Sequence, residues 1–248
     1  MNHDSRALLA MLAACLLLGS SGPAGAQPLS PYRHYSSSLF ITGNFKLSFP
    51  RQWGEPSAAS GTSEESPTLS PVLLPLSVSS FRTVGNPVVP RRIASGVPGL
   101  VGEQRQQLEV ALLELLKGYE YLLDQNDEQR LKNNLAGAFN FLFLSSYGVL
   151  KNGEELSEEQ RESMLGQINA CIAMRLKERR LSDREKQELY ESAVLSGSII
   201  RGLYNEGRDK GRAEQLKTAR ELAKTLLEQW MGLTIEKVRL DGNAVRIG

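Results

Sequence analysis

The chain has 248 residues, 41% of them hydrophobic and 23% charged, and its 29 Lys+Arg against 28 Asp+Glu leave a net charge of +1. That balance excludes a general nucleic-acid binder, which needs a cationic excess to displace counterions, and the hydrophobic fraction excludes a wholly disordered chain. Two histidines and two cysteines exclude most zinc and iron centres built from several such ligands, and no cofactor is expected.

Residues 1–26 read as a secretory signal peptide. Arg6 precedes 13 uncharged residues from Ala7 to Gly19, and Ala24-Gly25-Ala26 supplies a small-x-small cleavage site before Gln27. The run is too short to cross a hydrocarbon layer of ~30 Å, which takes ~20 apolar residues. Within it, Leu12-Ala13-Ala14-Cys15 matches a lipobox that would acylate Cys15, whereas Leu16-Leu17-Leu18 continues the apolar core and favours cleavage after Ala26. The protein is therefore expected to be exported, periplasmic or secreted, with a lipoprotein anchored through Cys15 as the alternative. Once the leader is gone, no intramolecular disulfide can form at Cys171. Leu165, Ile168, Ile172 and Leu176 share its helical face, so a buried, inert thiol is expected there.

Residues 27–98 form a second compositional block. All eleven prolines lie at or before Pro98, and the block carries six Lys/Arg, three Asp/Glu and runs such as Ser57 to Ser63. Proline fixes φ and removes a donor, so an extended or disordered arm is expected and helix is largely excluded. Two pieces stand apart. Leu39 to Thr42 and Phe45 to Phe49 flank Gly43-Asn44 as a short hairpin would, and Val72-Leu73-Leu74-Pro75-Leu76 is apolar enough to lie on a neighbouring surface.

Residues 99–248 carry helical periodicity. Leu108, Leu112, Leu115, Tyr119 and Leu122 mark a first helix over Glu103 to Leu123, and a second covers about Leu131 to Leu150. A third starts after Ser157 and a fourth after Ser182, each with a capping-box partner at Gln160 or Glu185. Leu216, Ala219, Ala223, Leu226 and Trp230 mark a fifth, which Gly232 ends. The joints at Asn152-Gly153, Arg180-Leu181 and Gly207 to Gly211 are short enough to make successive helices antiparallel neighbours. Beyond them, Thr234 to Leu240 and Asn243 to Ile247 around Asp241-Gly242 predict a hairpin of type I′, with a single strand or ordered tail as the alternative. The fold class is thus mainly α: a compact bundle of about five antiparallel helices with a short C-terminal hairpin or tail, preceded by a Pro/Ser-rich extended arm.

Asn134-Leu135-Ala136 with its uncharged helix to Tyr147, Glu155-Leu156-Ser157, Leu181-Ser182-Asp183 with Lys186 to Glu191, and Gly232-Leu233 with Arg239-Leu240 carry a resemblance. Over residues 100–248 the chain resembles a family of exported bacterial proteins with a helical C-terminal domain of unknown function. The resemblance implies fold and export and transfers no catalytic residue; the long Pro/Ser arm departs from it.

The inventory of chemistry is short. His34 is the only histidine after export and lies in the arm, no Gly-x-Ser-x-Gly elbow occurs, and neither a His-Glu-x-x-His motif nor a P-loop is present. Paired carboxylates suffice for glycoside hydrolysis, but Glu154, Glu155, Glu158 and Glu159 are expected to serve the positive N-terminal end of the third helix. Asn133 to Leu150 holds 18 uncharged residues, which reads as a central enclosed helix, with membrane insertion as the rival. In the fourth helix Ala193-x-x-x-Gly197 and Ser198-x-x-x-Gly202 are small pairs on different sides, so Ser198 and Gly202 mark a candidate face for a partner or a second copy. Arg179, Arg180 and Arg184 form a candidate anion contact among interleaved acids. The expected function is an exported, non-enzymatic binding or interaction protein whose partner is a protein or envelope component. A cell-envelope hydrolase using paired carboxylates and a membrane-active helical protein are the alternatives.

Overall fold

A computed structural model describes residues 45–47, 49 and 74–248. The leader with Cys15, the strand Leu39 to Thr42 with its Gly43-Asn44 turn, the Ser57 to Ser63 run and Val72-Leu73 lie outside the described residues. Among the described residues six helices run in the order α1 (Val89–Gly96), α2 (Gly102–Gln125), α3 (Leu135–Leu150), α4 (Glu158–Glu178), α5 (Asp183–Asp209) and α6 (Ala213–Leu226). A π-helical turn, Leu227–Met231, prolongs α6, and an antiparallel pair, β1 (Val238–Asp241) and β2 (Ala244–Ile247), closes the chain.

The uncharged α3 is the axis of this arrangement. Phe139, Leu142 and Phe143 have no exposed surface, each contributing ~1.5–3 kcal/mol through burial. The helix packs along α5, α4 and α6, which enclose an element with no polar side of its own. No described helix is long and apolar enough to cross a membrane, so the oily character of Asn133 to Leu150 is spent on internal packing. Both expected capping boxes form, Ser157 with Gln160 and Ser182 with Glu185. Gly232 ends the fifth predicted helix in the left-handed conformation at φ 63°. Gly197 is where α5 presses hardest on α3: an added Cβ would stand 2.9 Å from the Phe141 ring.

Several expectations are corrected. The short Arg179 to Ser182 joint does not make α4 and α5 neighbours; α3 takes the interior place, and the two helices barely touch. On α2 the buried stripe is Leu108, Leu112, Leu116, Tyr119 and Leu123, so Leu122 is left at the surface. The C-terminal hairpin turns at Gly242-Asn243, one residue later than expected. Only Gly242 has positive φ (56°), which fits a type II′ turn and not type I′. Gln160, Ser163 and Gln167, spaced along one side of α4, hold this hairpin through its main chain, with Gln167 Nε2 donating to Val245 O at 2.6 Å.

The largest difference lies in residues 74–98, the end of the expected arm. Leu76 to Ser79 make a 3-10 turn, and α1 forms despite its proline, because Pro90 sits in the first turn where its missing N–H has no helical acceptor to lose. Ser79, Asn134 and Asn169 meet in the interior. Ser79 Oγ lies 2.7 Å from Asn169 Oδ1 and 3.1 Å from Asn134 Oδ1, while Asn134 also caps α3 by accepting from Gly137 N. Further along, Arg184, Gln187, Glu188 and Glu191 fall on one side of α5 and take up residues 84–92. Gln187 Oε1 accepts from Val84 N at 2.6 Å, Arg184 donates to Val84 O at 2.7 Å, and Glu188 pairs with Arg92 at 2.9 Å. Glu191, only 2% exposed, accepts from both Val88 N (3.0 Å) and Val89 N (2.9 Å), the free donors at the start of α1.

Cys171 is buried, and loss of solvent pushes its thiol up to about 12. Two measurements check this part of the fold. Glu191→Ala leaves the buried Val89 N–H, the half-buried Val88 N–H and Gln187 without their acceptor, so unfolding free energy should fall by ~3 kcal/mol. Hydrogen exchange in that variant should deprotect residues 84–97 before α3. In a chain carrying Cys15→Ser, alkylation of Cys171 at pH 8 should run ~10³-fold slower than that of a solvated thiol and accelerate only with denaturant.

Candidate functional site

One side of α3 is not covered. Phe141, Leu144 and Gly148 are half-buried at successive turns and form the floor of a cleft of about 670 Å³. The end of α2 supplies Tyr119 and Leu122, and Leu122 is 41% exposed there. The start of α4 and the second half of α5 form the remaining walls. The two loops that frame the mouth turn through left-handed residues, Asp127 on one side and Asn152-Gly153 on the other, residue types that adopt this conformation at low cost.

Polar atoms of the floor and inner wall are the unusual feature. Tyr119, Asn140 and Ser145 line this cleft, and behind its surface the Tyr119 hydroxyl, Asn140 Oδ1 and Ser145 Oγ are buried without a hydrogen-bond partner in the protein. Buried polar groups are ordinarily paired, and an unpaired one costs ~1–3 kcal/mol. Tyr119 is raised well above the ordinary tyrosine range, by burial first and then by Tyr190 and Glu128. Tyr147 is pushed up to about 12, again by burial first and then by the bond its hydroxyl donates to Glu154 Oε1 at 2.9 Å. Both phenols therefore stay protonated across neutral pH, as donors and not as bases.

Charges of both signs stand at the rim. Arg130 bridges Glu128, at 2.7 Å, to Glu162 and so straps the loop before α3 to α4. Arg201 approaches Glu155 at 4.0 Å, and Arg208 lies over the Tyr204 ring, 5.8 Å from its centre. Glu154, Glu155 and Glu158 line the cleft while remaining exposed. Glu159, of the same acidic run, is held below the usual carboxylate range by the Ser157 hydroxyl, the opposite direction from a general acid. Among the described residues no three His, Cys, Asp or Glu side chains gather as metal ligands would.

The residues singled out from the sequence lie elsewhere. Arg179 pairs with Glu185 at 3.3 Å, Arg184 is occupied with Glu188 and the Val84 and Asn86 carbonyls, and Arg180 is exposed, so the three do not converge on one point. Gly202 is buried within this chain and Ser198 is half-buried, which leaves little of that pair at the surface. What sequence reasoning missed is Asn140 and Ser145. Both sit, with Ser146 and Tyr147, among the few polar side chains of an otherwise apolar helix, and that contrast was the available signal.

A family model described as a family of unknown function (DUF6683) matches residues 5–247, so the match runs through the arm as well as the helical body. No curated protein and no solved structure matches the chain.

Proposed function

The chain belongs to the family of unknown function DUF6683, and from that premise we propose that it is an exported protein that binds a small polar ligand in the cleft over α3. The observation that carries this reading is the set of three buried, unpartnered atoms, Tyr119 Oη, Asn140 Oδ1 and Ser145 Oγ. They combine uncharged donors with an acceptor, the complement of a hydroxyl- or amide-bearing ligand, and half-buried Phe141 and Leu144 offer its apolar parts a contact. Rim charges of both signs select neither an anion nor a cation. The Tyr119 phenol, raised above the ordinary tyrosine range, stays protonated and offers a donor, which supports a role in holding a ligand.

One observation favours a second reading: Glu154, Glu155 and Glu158 line the same cleft, as paired carboxylates of a hydrolase would. A general acid of that kind is raised by burial, however, and the Glu155 side chain is 83% exposed. Export rests on the sequence of residues 1–26 alone.

Gly148 provides the test of the cleft, since a Cβ there would meet only Glu154 O at 3.6 Å. Gly148→Ala should add ~0.5–1 kcal/mol of stability from helix propensity and leave the cleft open, whereas Gly148→Leu should fill it. In a thermal-shift screen of neutral oligosaccharides and short peptides, compounds that stabilise the natural chain and Gly148→Ala should lose their effect on Gly148→Leu. Equal shifts in all three place the ligand elsewhere, and turnover of a hit that Glu158→Gln abolishes moves the assignment to the hydrolase. Intact mass of the protein recovered after expression in a secreting host should correspond to a chain that begins at Gln27. An acylated Cys15 would replace the cleaved leader with a lipid anchor.

A further inference from the structure

The C-terminal hairpin has one edge in use and one bare. Lys237 O accepts from Gly248 N at 3.0 Å, Arg239 stands opposite Arg246, and Asp241 stands opposite Ala244. In an antiparallel ladder of that register Lys237, Arg239 and Asp241 turn their main chain towards β2. Val245 turns its own away from β1, and α4 receives it: the N–H donates to Ser163 Oγ at 3.3 Å and the carbonyl accepts from Gln167. Leu240, opposite Val245, points its N–H and C=O the other way, where no described residue bonds to either. Open edges are ordinarily guarded by proline, lysine, a bulge or a covering segment. β1 reads Val238-Arg239-Leu240-Asp241 in unbroken register, and the Leu240 side chain is 41% exposed.

The charges on the outer face of the hairpin are unbalanced as well. Arg239, Asp241 and Arg246 are exposed, and the register sets Arg239 directly opposite Arg246, a like-charged pair that costs stability. Arg246 reaches diagonally to Asp241 at 2.5 Å. Among the described residues Arg239 has no acidic partner.

We infer that the outer edge of β1 is a self-recognition surface, to which a second copy of this chain adds its own β1 about a two-fold axis at Leu240. The product is a four-stranded antiparallel sheet. In that register the two Leu240 residues exchange N–H···O=C bonds and lay their exposed side chains together. Each Arg239 then stands opposite the partner's Asp241, which supplies the acid that its own chain lacks. Moving the axis to Arg239 or to Asp241 would set that residue against its own copy, like charge facing like. The contact is isologous and closes at two, because the new outer strands are the two copies of β2, whose edges α4 already holds.

Sedimentation equilibrium of the protein recovered after secretion should show a monomer–dimer equilibrium with a dissociation constant on the order of 10–100 μM, as so small a contact allows. Arg239→Asp and Asp241→Arg each set like charges face to face in a symmetric pair, and each should weaken association on the order of tenfold. Mixed one to one, the two variants regain opposite charges at both positions, so they should form a complex that neither makes alone. Leu240→Pro removes a donor that the hairpin itself does not use and should leave a monomer with native circular dichroism. A natural chain still monomeric at about ten times the expected constant overturns self-pairing and leaves the edge to an extended segment of a different protein. A dimer that ignores Leu240→Pro lies on another surface and overturns the proposal. Failure of the two folded charge variants to combine overturns the register at Leu240.

Discussion

An uncharged helix with no polar side has to be enclosed, and that requirement organises the whole molecule. α3 offers water only a few hydroxyl and amide groups, so its stability depends on what surrounds it. Three helices cover three of its sides, and at its N-terminal end other segments add to that cover. There Phe45 packs on Phe139, Trp230 packs on the same ring from the other flank at 5.6 Å, and the Leu76 to Ser80 turn closes over Asn134. The segments before α2 thus complete a core that the later helices leave open. Along the cleft that enclosure stops.

Non-helical segments bring the problem of their own main chain, since unpaired N–H and C=O groups at a core surface are costly. The solution is the same in three places. Gln160, Ser163 and Gln167 on α4 serve the C-terminal hairpin, and Asn169 and Arg175 on the same helix serve Leu74 and Lys46. Gln187 and Glu191 on α5 serve the approach to α1. Polar side chains at helical spacing act here as fixed hydrogen-bond partners for backbone. Their loss would release segments, with the helices keeping their own ladders.

This device explains which parts of the fold were legible in the sequence. Apolar periodicity and capping boxes are local signals, so the helices from Glu103 onward and their starts at Ser157 and Ser182 could be read directly. α1 could not, because its stability comes from Glu191, about a hundred positions away, and a proline-bearing stretch without charge periodicity gives no local hint. A stripe such as Arg184, Gln187, Glu188 and Glu191 has the same spacing and composition as a solvated helix face. Only the partner segment tells the two apart. The candidate site was hidden for a related reason: Asn140 and Ser145 look like dilution of an apolar helix until the absence of a fourth neighbour turns them into the lining of a cleft.

The cleft and the seat of residues 45–47 and 49 stand on different parts of the fold. Asn140 and Ser145 are carried by the most enclosed helix of the molecule, with Tyr119 fixed between Phe141 and Tyr190 at ring distances of 4.7 and 6.0 Å. Groups on such rigid elements lose little freedom when a ligand arrives, so selectivity there costs little ordering. The seat of residues 45–47 and 49 is bounded by the C-terminal end of the π-helical turn and by Arg175 of α4, and there Leu47 adds to the core. A rigid cleft suits recognition of a small molecule, and it exists because α3 is left uncovered along that stretch.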